Sequence, residues 1–187
     1  MQDQPTRPPL QTPGHRIFHL KPDSHLRARQ APLVELVRFW YLHRGPGGLP
    51  PRSAFDACAL KAFLPHIFIT EYETATQRYR YRLIGTAVTE AFRRNATGCY
   101  FDEIYDTPDL HALHEMHEAA RLSGEPKTIG GRMTPADRAT MIVDALLLPV
   151  GVAEGRNPQL LGAIYLSAPG QTAATGAAGE IAAYSAA

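Results

Sequence analysis

The stretch from Ala139 to Val150 limits what this chain can build more than any other. A strand here is apolar on both sides, with Met141, Val143, Ala145 and Leu147 on one face and Ile142, Leu146 and Leu148 on the other. Strand side chains alternate between faces, so a sheet with one solvated face would show polar residues at every second position. This sheet has to be covered twice. Leu160 to Ser167 reads as a second strand of the same two-sided kind.

The internal candidate for the second cover is a helix from about Pro32 to His43. Leu33, Leu36, Val37 and Trp40 recur on one face, proline suits the first helical position, and Gly45 follows the end. A partner chain is the alternative cover. Trp40 is therefore expected to be buried, against the sheet or in a homodimer interface.

The rest of the chain alternates between two periods. Asp56 is placed to cap a short helix over about Ala57 to Phe63. Ile67 to Tyr72 reads as a strand. Tyr79 to Ile84 reads as another, with Thr74 to Gln77 as the hairpin between them. Val88 to Arg94 carries a short helical pattern. Thr107-Pro108-Asp109 opens a longer helix to about Leu122, with Thr107 as N-cap, before Gly124 and Pro126. Lys127 to Met133 precedes the two apolar strands. Two strands, a helical middle and three strands indicate an α+β layered fold rather than alternating parallel units.

At 187 residues, with 44% hydrophobic and 20% charged residues, the chain suits one domain. Residues 1–24, with Pro5, Pro8, Pro9, Pro13 and Pro22, read as a disordered arm, residues 25–168 as the folded domain, and the Ala, Gly and Thr of 169–187 as a flexible tail. The N-terminus lacks the apolar core of a signal peptide, and no apolar run approaches the ~18 to 20 residues of a membrane span. A cytoplasmic protein without membrane contact is expected. The net charge of +1 supplies no strong field for nucleic acid. Cys58 and Cys99 have no metal-like spacing and are expected to be two buried free thiols.

An ordered set of short motifs lies along the chain: Trp40, Arg44-Gly45, Pro51-Arg52, Leu64-Pro65, Tyr81-Arg82-Leu83-Ile84-Gly85-Thr86, Thr97-Gly98 and Leu147-Leu148-Pro149. Together with the element order it resembles a PAS domain over about residues 32–167, and more narrowly the small bacterial PAS-like proteins that stand nearly alone. One departure is Phe92-Arg93-Arg94-Asn95, where the family pattern has a glycine and an apolar turn. The resemblance implies a five-stranded antiparallel sheet in the order 2-1-5-4-3, with helices on one face and the N-terminal helix on the other. It also implies a non-enzymatic sensory or regulatory role. It leaves the cofactor unknown, since PAS folds host haem, flavin, small acids or nothing. With no room for an output domain, the expected partners are a second copy in a homodimer and an unidentified signalling protein, with a small ligand in addition. A pocket is expected between the inner sheet face and the middle helices, lined by some of Tyr81, Met116, His117, Met141 and Tyr165.

The residues that invite other chemistry are His111, His114 and His117, with Glu115 and Glu118. The pairs at i and i+4 are neighbours on a helix and could share a metal, the basis for a small metal-dependent enzyme as the alternative function. His111 and His117 lie about 120° apart around the helix, so the three cannot converge on one ion. Two partly buried histidines and one solvated one is the simpler reading. Arg78, Arg80, Arg82, Arg93 and Arg94 beside Tyr79 and Tyr81 could form a basic strip that resembles a single-strand nucleic-acid surface, but alternation puts the strand arginines and the tyrosines on opposite faces. A salt-bridged strand face suffices. No nucleophile elbow or phosphate loop is present in the sequence, so no catalytic residue is expected. A ligand-free dimerisation domain is the remaining alternative.

Overall fold

A computed structural model describes residues 17–23, 30–45, 48–134 and 139–170, the first of these as backbone only. The elements are β1 (Ile17–Asp23), α1 (Ala31–His43), β2 (Ile67–Glu73), β3 (Arg78–Ile84), α2 (Thr86–Phe92), α3 (Thr107–Ser123), β4 (Lys127–Thr134), β5 (Met141–Val150) and β6 (Gln159–Ser167). They form one antiparallel sheet in the order β1-β4-β5-β6-β2-β3. Without β1 this is the expected five-stranded order, with β2 and β6 adjacent at the centre.

The sheet is covered on both faces because its central strands are apolar on both. On one face α1 buries Leu33, Leu36, Val37 and Trp40 against Ile67 and Ile69 of β2, Leu146 and Leu148 of β5, and Leu161 and Ala163 of β6. Full burial of each such side chain is worth about 1.5–3 kcal/mol, which ties the helix firmly to the sheet. The cover is thus internal. The other face packs Phe68, Tyr81, Val143, Ala145 and Leu147 against Phe101 and against Leu113, Met116 and Ala120 of α3.

The motif residues meet one another in space. Gly85 lies so close to the backbone carbonyls of Leu64 and Pro65 that a Cβ has no room there. Pro51 bridges to Gly151, whose carbonyl accepts the Arg52 backbone N–H at 2.7 Å.

Four expectations are corrected. Ile17–Asp23 lies inside the arm expected to be disordered, yet it pairs with β4 from Ile17↔Thr134 to Asp23↔Thr128. Pro22 argued against a strand, but β1 is an edge strand, where a missing N–H is tolerated. The rest of that arm, 1–16 and 24, and the tail from 171 lie outside the described residues. Residues 57–63 form hydrogen-bonded turns rather than a helix, although the Asp56 carboxylate does accept the N–H groups of Cys58 and Ala59 at 2.9 and 2.8 Å. Thr107 begins α3, and its N-cap position is held by Asp106. Cys99 is buried but Cys58 is exposed, because the turn that carries it lies on the surface.

Candidate functional site

Between the sheet and its α2–α3 cover the packing leaves a cavity with about 70 Å³ open to the centre of a water molecule. Strand alternation supplies its floor: Phe68 from β2, Tyr81 and Ile84 from β3, Val143 and Ala145 from β5, and Ile164 from β6. Val88 and Phe92 of α2, Ile104 and Tyr105 of the following connection, and Leu113 and His117 of α3 form the roof. These walls are overwhelmingly apolar.

Three polar features interrupt them. The Tyr81 and Tyr105 hydroxyls satisfy each other at 2.8 Å. Burial, and next the neighbouring Tyr105, push the Tyr81 phenol well above its usual pKa, so Tyr81 carries no charge. His117 is 1% exposed, and its Nδ1 lies 2.7 Å from the Leu113 carbonyl. A carbonyl only accepts, so Nδ1 carries the proton. Burial is the main cause pulling the ring's pKa down to about 4, against the Leu113 bond, so the imidazole is neutral at neutral pH. Its Nε2 is then a bare acceptor, buried and without a partner.

The third feature is Arg94. Its Nε and Nη2 are buried without a hydrogen-bond partner, and no carboxylate is among the residues that line the cavity. The local chain explains the placement. Arg93 closes α2 in the left-handed conformation (φ 49°), the shape a glycine usually takes, and the Arg94 N–H then bonds back to the Thr89 carbonyl at 3.1 Å. The turn directs the next side chain, Arg94, to the cavity wall. This is where the sequence departs from the family pattern.

Of the residues expected to line a pocket, Tyr81 and His117 do so. Met116 and Met141 belong to the same side of the sheet but stand behind the lining. Tyr165 is corrected: β6 alternation turns it to the α1 side, where its ring stacks on His66 at 4.1 Å. Ile164, one residue earlier, lines the cavity instead. Sequence reasoning named Arg94 only as part of a solvated basic strip and missed its place in the cavity wall, although the departure at Phe92-Arg93-Arg94-Asn95 was a signal that the loop there is built differently.

The histidine run does not converge. His111 is exposed and meets Glu115 at 3.3 Å, His114 packs edge-on to Tyr79, and His117 faces the core. Among the described residues no three His, Cys, Asp or Glu side chains are grouped to hold a metal. On the sheet edge, Arg78 bonds to Asp102 at 2.8 Å and Arg80 to Glu71 at 2.7 Å, while Tyr79 and Tyr81 are buried on the other face. Burial would raise the Glu71 pKa, but the hydrogen bonds from Arg80 and Gln159 and the charge of Arg82 outweigh it and hold the carboxyl below its usual value. That strand face is satisfied by ion pairs. No described helix is long and apolar enough to cross a membrane.

A search of curated proteins finds no match to the chain. The family model described as PAS domain matches residues 28–165, which runs from just before α1 into β6 and contains the whole cavity. With its sheet order, its internal helical cover and that match, the chain belongs to the PAS domain family.

Proposed function

We propose that this PAS domain is a non-enzymatic regulatory module that takes a small molecule into the cavity under α2 and α3 and reports its occupancy to a partner protein. The observation that carries the reading is the cavity itself. The α1 side of the sheet buries a cluster of its own side chains, whereas the α2–α3 side keeps a void lined by Tyr81 and His117, with buried polar atoms left unpartnered. A void forfeits contacts on its walls and an unpartnered buried polar atom costs free energy, so a fitting occupant relieves both. Binding then stabilises whichever arrangement of α2 and α3 closes over the ligand, and a partner that reads this surface senses the shift. Cytoplasmic residence and a homodimer complete the proposal.

The test is native mass spectrometry with an absorption spectrum of the purified protein, followed by thermal-shift screening of small molecules. A retained or stabilising ligand that raises the melting temperature and protects α2–α3 amides from hydrogen exchange is the expected result. A protein that carries nothing and is stabilised by no small molecule, yet dimerises, would leave the ligand-free dimerisation domain standing instead.

A further inference from the structure

The polar atoms of the cavity specify the chemistry of its occupant. Arg94 brings a permanent positive charge, with two nitrogens buried and unpaired, into a wall that contains no acid. Leaving buried nitrogens of a charged group without partners is costly, and a long arginine side chain ordinarily carries its whole head out to water. The arrangement becomes favourable when an anion enters, because a guanidinium offers paired donors in the plane of a carboxylate.

His117 adds a second and opposite requirement. With its proton fixed on Nδ1 by the Leu113 carbonyl, the neutral ring presents only a lone pair at Nε2. A carboxylate cannot satisfy it; a hydroxyl or N–H can. The remaining walls, including Phe68, Phe92, Ile104 and Val143, ask for an apolar body between the two polar ends. Aromatic edges suit such walls and lose little entropy on binding. Some 70 Å³ for water centres is several times what one water requires, and fits a compact molecule.

Resting on the reading of the cavity as the ligand site, we infer that the ligand is a small aromatic carboxylic acid bearing one hydroxyl or N–H donor, its carboxylate held by Arg94 and its donor by His117 Nε2. The class is that of the hydroxybenzoates and hydroxyphenylacetates. Neither group is catalytic: nothing is made or broken, and the acid is released unchanged.

The experiment is titration calorimetry of the full chain, stripped of any retained ligand, with ortho, meta and para hydroxybenzoate and the hydroxyphenylacetates. The neutral hydroxybenzamides and plain benzoate serve as controls. Loss of the charge-assisted pair is expected to weaken binding by about ten- to a hundredfold, so the amides bind at least about tenfold more weakly than the acids. Arg94→Met abolishes the preference for acid over amide and leaves the empty protein at least as stable as before, because it removes two buried nitrogens that have no partner. His117→Phe abolishes the preference for hydroxybenzoate over benzoate while keeping that for acid over amide. If amides and acids bind alike, or if Arg94→Met destabilises the empty protein and leaves the acid preference intact, the inference fails and the cavity reading stands. If none of the acids or amides binds, and the broader thermal-shift screen also finds no ligand, both fail.

Discussion

The Trp40 indole donates its Nε1 proton to the Pro149 carbonyl at 2.7 Å, joining residues that are 109 positions apart. Pairing between β4 and β5 stops at Lys127↔Leu147, so Pro149 lies beyond the last rung. A proline there forfeits no ladder bond on that side, and its carbonyl is free to take the indole. The bond closes α1 onto the sheet at the place where β4 gives out. Trp40 is completely buried. Replacing it by alanine is expected to cost about 3–5 kcal/mol. Trp40→Phe keeps most of the ring but strands the carbonyl, at about 1–3 kcal/mol. Urea denaturation followed by circular dichroism measures both, and a phenylalanine variant as stable as the parent would refute the role of the bond.

Gly162 and Phe68 face each other across the β2–β6 pairing, and a Cβ on residue 162 would fall inside the Phe68 ring. The ring lies over the bare glycine and so forms part of the cavity floor. Gly162→Ala should cost on the order of 1–3 kcal/mol through overpacking, and should also push Phe68 into the cavity and reduce ligand uptake. Adding Phe68→Leu to the same chain should recover stability without restoring uptake. A lone Gly162→Ala protein with unchanged denaturation midpoint and unchanged ligand content would show that the ring has somewhere else to go.

These contacts also explain which parts of the structure were legible in the sequence. The two-sided apolar pattern of Met141 to Val150 demanded two covers, and the Leu33, Leu36, Val37 and Trp40 stripe named one of them; both are local patterns with a single structural solution. The motif residues were legible as a set because they touch, Trp40 with Pro149 and Gly85 with Leu64 and Pro65. What failed depended on non-local facts. Strand β1 forms because β4 offers an unpaired edge, which nothing near Pro22 announces. Tyr165 was placed on the wrong face because counting alternation requires knowing which neighbour faces the cavity. The place of Arg94 in the cavity wall was not legible because it follows from the backbone turn at Arg93.

Strand β1 covers the β4 edge over Lys127–Thr134, and residues 25–168, the unit proposed from sequence, lack it. The five remaining strands keep both covered faces, so a chain starting at residue 25 is expected to fold. Its β4 edge, which includes Gly130 and Gly131, would then offer unpaired backbone groups to other copies. Light scattering should show association that rises with concentration for the truncated chain and is absent or weaker for the full one. Identical scattering from both would mean that β1 does not guard this edge.

His117 makes stability depend on pH. Its pKa is held at about 4 in the fold, by burial above all, and returns to about 6.5 on unfolding. Between those values the unfolded chain binds the extra proton, so the sign is fixed. The contribution is complete above about pH 6.5 and is lost as pH falls toward 4. From pH 7 to pH 5 the loss amounts to about 2 kcal/mol. The charged neighbours pull in opposite directions, His114 lowering the pKa and Glu118 raising it, and both are weaker than the desolvation. Glu71 and Glu118 also hold depressed pKa values, but from an ordinary value of 4.5, so their losses begin only below that pH. Comparing urea midpoints at pH 7 and pH 5 in the parent and in His117→Phe therefore reads the histidine by difference. His117→Phe should flatten the difference, since phenylalanine has no proton to gain, and the Leu113 carbonyl keeps its place in the α3 hydrogen-bond ladder. A wild-type midpoint equal at the two pH values, or a variant with the same acid loss as the parent, would mean that His117 reaches water in the folded protein and that its Nε2 is not the buried acceptor on which the cavity's selectivity depends.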